Sequence, residues 1–160
     1  MNKRLFVFFV TVLAGAMLVA GCGSSDDNDS TTALSKAEFV KQGNAICRKG
    51  NEEIEEGFEE FAKEKNLGKN KEPSEADFEE AAETVLVPGV SKQIDGLRAL
   101  GAPEGDEGEV DQLLTGAEEA LEEIEGDPAK ATEENGGPFV KVNKEAREYG
   151  LTVCGEEENE

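Results

Sequence analysis

The hydrophobic pattern falls into two regimes. Leu5 to Ala20 form one uncharged, largely apolar run of 16 residues. From Leu34 onward, apolar residues instead recur every three or four positions among charged ones, which is the spacing of amphipathic helices rather than of strands. Ser35 followed three residues later by Glu38 predicts a capping box that opens the first helix. Val40, Gly43, Cys47, Ile54, Phe58 and Phe61 give it one apolar stripe, with Phe39 and Ile46 beside it. "NLGKNKEPS" (Asn66 to Ser74) reads as a loop. Ser74 and Asp77 cap a second helix with Phe78, Ala82, Val85 and Leu86 inward. Pro88 removes an amide donor and predicts a kink or break around Val87 to Gly89. The pattern resumes with Val90, Ile94, Leu97 and Leu100 until Gly101 and Pro103 stop it. A third helix, from about Asp106 to Glu125, carries Val110, Leu113, Leu114, Ala117, Leu121 and Ile124. "DPAKATEE" predicts a turn or two. A last helix uses Phe139, Val142, Ala146 and Tyr149, and closes at Gly150–Leu151. The expected fold is all-α: a small antiparallel bundle of about four helices over residues 35–155, the second of them kinked, followed by an acidic tail at 156–160.

The first run needs a different explanation. A helix of that length rises about 24 Å, short of the roughly 30 Å hydrocarbon core, so it is a poor permanent span. Lys3 and Arg4 before it, and small residues after it, make the outline of a secretory signal. The residues Val19-Ala20-Gly21 before Cys22 resemble the lipobox of bacterial lipoproteins. That resemblance implies a signal peptide at 1–21, a diacylglyceryl group on the Cys22 thiol, cleavage before Cys22, and attachment to the outer face of the cell membrane. Gly23 to Thr32 hold no large apolar side chain, so 22–34 reads as the lipidated cysteine and a disordered tether. The alternative is an ordinary signal peptide followed by an incidental cysteine. Asp27, Asp29, Thr31 and Glu38 loosely echo a calcium loop, but Thr32 stands where its turn requires glycine, so no metal is expected there.

Charge narrows the partners. The chain has a formal net charge of −21, and loss of Lys3 and Arg4 with a signal peptide takes it to −23. Such a surface repels nucleic acid and anionic headgroups and favours cations and basic partners. Chemistry is narrowed further by the absence of histidine from the sequence. Ser-His-Asp and Cys-His systems, His-containing zinc sites and Glu-x-x-His di-iron pairs all need it. Three cysteines do not make a four-cysteine metal site, and neither G-x-x-x-x-G-K-[ST] nor G-x-G-x-x-G occurs. No cofactor, metal or catalytic residue is therefore assigned. Glu118, Glu119, Glu122 and Glu123 form two like-charged i,i+4 pairs, which read as a solvated face. They also supply the one catalytic alternative, an acid-based cell-envelope enzyme or accessory subunit working through paired carboxylates.

A second resemblance joins "AEFVKQGNAICRKGNEEI" (Ala37 to Ile54) to "EYGLTVCG" (Glu148 to Gly155). The combination is similar to small, uncharacterised secreted proteins and lipoproteins of high-GC Gram-positive bacteria. It implies a two-cysteine helical domain at the cell surface and brings no activity with it. With Cys22 acylated, Cys47 and Cys154 remain as an even pair in an oxidising setting, which predicts a disulfide. Free buried thiols or a redox pair are the alternatives, the latter without a C-x-x-C to lower a thiol pKa. The expected function is a non-catalytic module that binds a protein or small-molecule partner while anchored through Cys22. Its oligomeric state is left open.

Overall fold

The computed structural model describes residues 34–68, 71–133 and 137–156; residues 1–21, Cys22, most of the tether and the end of the acidic tail lie outside them. Five α-helices fill the described chain: α1 (Lys36–Glu64), α2 (Glu75–Ala81), α3 (Val87–Leu100), α4 (Glu107–Gly126) and α5 (Val140–Tyr149). A π-helical turn, Ala82–Leu86, carries α2 directly into α3, and a 3₁₀ turn, Pro128–Thr132, follows α4. α2, the π turn and α3 thus form one interrupted helix, and the fold is an all-α bundle of four such helices.

Both predicted capping boxes form. The Ser35 hydroxyl donates to Glu38 Oε2 at 2.6 Å, and the Glu38 amide donates back to Ser35 Oγ at 3.3 Å. Ser74 and Asp77 repeat the arrangement at 2.6 and 3.3 Å. Each box satisfies amide donors that a helix start leaves without intrahelical partners.

The irregularity in the second helix falls one turn before Val87–Gly89. Proline offers no N–H, and its ring crowds the carbonyl four residues back. The chain answers by widening the preceding turn, where the Val87 amide reaches back five residues to Ala82 O. Pro88 then sits in the first turn of α3, where its missing donor costs nothing.

α1 and α3 pack through interlocking glycines. A Cβ on Gly43 would lie 3.0 Å from Leu97 Cδ2, one on Gly96 3.0 Å from Ile46 Cγ2, and one on Gly57 2.7 Å from Val85 Cγ1 in the π turn that leads into α3. A Cβ on Gly50 would collide with Gln93, and one on Gly89 with Ile54. Position numbers fall along α1 as they rise along α3, so the pair is antiparallel. Gly43, Gly50 and Gly57 are seven residues apart, as are Gly89 and Gly96, which places each set on one face. Glycine is there for proximity: it lets two backbones approach where any side chain would hold them apart.

The core is built around Phe39, Cys47, Leu97, Val110, Leu113, Leu114, Val142, Ala146, Tyr149 and Leu151. Phe39 is fully buried while Val40 beside it is half-buried, so the inward line on α1 runs 39–43–47 rather than 40–43–47. The reason is an aromatic partner. The Tyr149 ring meets Phe39 edge-on, with centroids 6.0 Å apart and planes at 86°. Phe78, expected inward, is 49% exposed, because α2 turns Asp77 and Ala81 toward the bundle instead.

Candidate functional site

Two places carry features beyond packing: the terminus stapled to α1, and a groove at the far end of α1. At the first, the backbone after α5 reverses at Gly150, whose φ of +114° suits glycine. The Gly150 and Leu151 amides donate back to Arg147 O and Ala146 O, and Leu151 is buried to 1% exposure. That is a Schellman close with its hydrophobic contact. The segment then runs along α1. Asn44 brackets it: Asn44 Nδ2 donates to Gly150 O at 3.0 Å, and the Val153 amide donates to Asn44 Oδ1 at 2.8 Å. Cys154 is bonded to Cys47, with Cα atoms 5.0 Å apart and 107 residues between them in sequence. Arg147 donates to the Gly155 carbonyl, and a Cβ on Gly155 would collide with Asn143 O.

Tyr149 ties the same end to α4. Its hydroxyl donates to Asp106 Oδ2 at 2.9 Å, and Lys36 Nζ lies 3.2 Å from that oxygen and 3.9 Å from the Tyr149 ring centroid. Burial, then the Asp106 carboxylate, pushes the Tyr149 hydroxyl well above its ordinary pKa. The Tyr149 hydrogen bond and Lys36 hold Asp106 below the usual carboxylate range. Asp106 was expected to open the third helix; it stands at the helix start, but its side chain is committed to Tyr149 and Lys36 rather than to capping.

The carboxylates of the catalytic alternative do not converge on one another. Glu118 takes a two-point contact from Arg98, whose Nε and an Nη donate to its two oxygens at 2.8 Å each. Arg98 holds Glu118 below its ordinary pKa, the opposite of what a general acid needs. Glu123 pairs with Lys130 at 2.9 Å, while Glu119 and Glu122 face solvent. Among the described residues, no group of three or more Cys, Asp or Glu is arranged to hold a metal ion. Of the loose calcium-loop echo, only Glu38 is described, and its carboxylate is engaged by Ser35.

The groove lies between the second half of α1 and the π turn with the start of α3. It measures about 330 Å³ and opens to solvent, with Ile54, Gly57, Phe61, Val85, Pro88 and Gly89 below and Glu53, Glu60, Glu64 and Lys92 around it. Gly57 and Gly89 set its depth, since they let the two helices touch at its floor.

Cys47 and Cys154 are joined as the sequence predicted, whereas Cys22 lies outside the described residues. Asn44, Asn51 and Gln93 went unread. Gln93 donates to Asn51 Oδ1 at 3.1 Å between α3 and α1. The seven-residue glycine spacing was the signal available for the groove. The chain matches no family model, no curated protein and no solved structure.

Proposed function

We propose that this chain is a lipid-anchored extracytoplasmic protein, held through Cys22 at the outer face of the cell membrane, whose helical bundle is a non-catalytic binding module. The observation that carries the reading is the cysteine accounting. Cys47 and Cys154 are consumed by a disulfide, which suits an oxidising compartment, and Cys22 is left alone behind Val19-Ala20-Gly21. No helix among the described residues is long and apolar enough to cross a membrane. A diacyl group with an added N-acyl chain supplies two or three chains, and two give stable anchoring.

The module part of the reading rests on side-chain chemistry. The residues nearest to catalytic candidates are spent elsewhere: Glu118 on Arg98, Glu123 on Lys130, Asp106 on Tyr149 and Lys36. The acid-based alternative gains no converging pair from them.

Labelled palmitate tests the anchor. It should enter the parent protein and be lost from Cys22→Ser; equal incorporation into both overturns lipidation at Cys22. Crosslinking in intact cells, with the crosslinked positions mapped onto the bundle, tests the module.

A further inference from the structure

The groove has a floor that the fold leaves half-covered and a rim on which Glu53 and Lys92 face each other at 3.9 Å while Glu60 and Glu64 stand apart. Ile54, Phe61, Val85 and Pro88 line it, and none of the four is fully buried. Burying apolar surface is the main favourable term in folding and in association, so a half-covered floor leaves some of it for a partner. Glu60 and Glu64 stand on the α1 side, one turn apart and exposed. Glu64 feels the charge of Lys65, but the Lys65 ammonium is bonded to Glu80 at 2.6 Å, so neither carboxylate forms a close ion pair among the described residues. Elsewhere on α1, Glu53 lies near Lys49 and Lys92 and Glu59 pairs with Lys63 at 3.1 Å, while Glu52, Glu55 and Glu56 are exposed and, among the described residues, in no ion pair; what sets Glu60 and Glu64 apart is that they border the groove. Two like charges at i,i+4 cost a helix a few tenths of a kcal/mol, so this pair does nothing for α1 itself.

Charge selects among occupants. A second copy would bring another −21 and the same acidic rim, and nucleic acid or an anionic lipid surface would be repelled in the same way. A volume of about 330 Å³ is at the small end of ligand pockets, suited to a few side chains rather than to a large ligand. We propose that the groove docks a cationic amphipathic peptide segment of a partner protein, with apolar side chains on Ile54, Phe61, Val85 and Pro88 and flanking Lys or Arg against Glu60 and Glu64. This deepens the binding-module reading and rests on it. Docking of this kind divides the labour: the apolar floor supplies affinity, and the exposed carboxylates select the sign of the partner.

The test uses the full-length protein in non-ionic detergent and a fluorescent synthetic Lys/Leu amphipathic peptide, read by anisotropy. Three variants separate the groove from general acidity. Glu60→Lys with Glu64→Lys reverses the rim. Thr84→Trp fills the groove from an exposed position without changing charge. Glu119→Lys with Glu122→Lys makes the same charge change on α4, away from the groove. The rim and plug variants should each weaken binding about tenfold or more, equivalent to about 1.4 kcal/mol, and the α4 control less than about twofold. Equal weakening by the rim and control pairs, or a plug without effect, overturns the groove as the site. That failure is distinct from failure of the module reading, which is decided in cells: crosslinks on another face sustain it without this groove.

Discussion

The two ends of α1 are packed by different means. Around Gly43 and Cys47 the helix is covered by α3, α5 and the terminal segment, and contacts of several kinds coincide there. Phe39 and Leu151 are fully buried, Asn44 makes two backbone hydrogen bonds, and a covalent bond closes the whole. Around Gly57 and Phe61 the same helix meets the π turn and the start of α3, with an ion pair from Lys65 to Glu80 of α2 at 2.6 Å beyond them, and its large side chains stay half-exposed. Loop closure accounts for much of this contrast. The terminal segment reaches α1 across 107 residues, so its contacts must offset a large entropy cost and are reinforced accordingly. α1 and α2 are near neighbours along the chain, and a short connection holds them together with less. An end that is cheap to hold is also an end that can be left open.

The largest expected effect follows from the staple. Replacing Cys47 and Cys154 together by alanine should cost roughly 4–5 kcal/mol in the chain-entropy account of a loop this long. That approaches the entire stability of a marginal domain. Urea unfolding of the unreduced parent and the double variant measures it, and a difference under about 1 kcal/mol would remove the staple from its place in the comparison.

Next come single side chains, chosen as a pair. Leu151→Ala at the stapled end should lose about 2–5 kcal/mol, because the side chain is enclosed and its removal leaves a cavity. Phe78→Ala at the other end should lose only about 1 kcal/mol, since that residue is 49% exposed and gives up half of a full burial without leaving an enclosed cavity. Similar losses from the two would mean that the ends are equally packed.

Helix starts give a smaller effect. Ser74→Ala removes the hydroxyl that accepts from the Asp77 amide and should cost about 1 kcal/mol. Hydrogen exchange should place that loss in α2, with the amides around Cys47 unchanged.

Local signals made much of this legible in advance. Ser35–Glu38, Ser74–Asp77 and Gly150–Leu151 act within a few residues of themselves, so spacing alone revealed them. The disulfide followed from counting cysteines once Cys22 was set aside. Phe39 was misread as peripheral because its burial depends on Tyr149, which lies 110 positions away in sequence. Asn44 looks like any polar helix residue until the terminal segment arrives beside it. The groove was the least legible feature. It is made by glycines that carry no side-chain signal, and by a π turn whose position depends on how the chain relieves Pro88. Glu60 and Glu64 could not be told from the other exposed glutamates of α1 until the groove beside them was on view.

The smallest effect separates the two ends by pH. Asp77 Oδ2 accepts from the Ser74 hydroxyl at 2.6 Å and from the Ser74 amide at 2.9 Å, with Lys71 Nζ 3.3 Å away. The Ser74 hydrogen bonds first, and Lys71 second, lower the Asp77 pKa from 3.8 to about 2. A group depressed in the folded state stabilises it fully above the unfolded value and ceases to do so as pH falls through the folded one. The contribution of Asp77 should therefore be complete above about pH 4 and fade between about pH 4 and about pH 2. The Ser35 contacts also lower Glu38, so α1 loses a cap in acid too. Asp106, also held low by Tyr149 and Lys36, loses its charge at that end as well, but the burial of Phe39 and Leu151 and the disulfide do not titrate and mask both losses. Amide exchange followed down this range should show α2 opening first, in step with the Asp77 titration, while amides from Phe39 to Cys47 stay protected. In Asp77→Asn the α2 amides should already be less protected at pH 6, and their protection, corrected for the intrinsic exchange rate at each pH, should no longer fall in step with an Asp77 titration below pH 4. If the amides around Cys47 opened together with α2 in the parent protein, the two ends would be one cooperative unit and the contrast between them would fail.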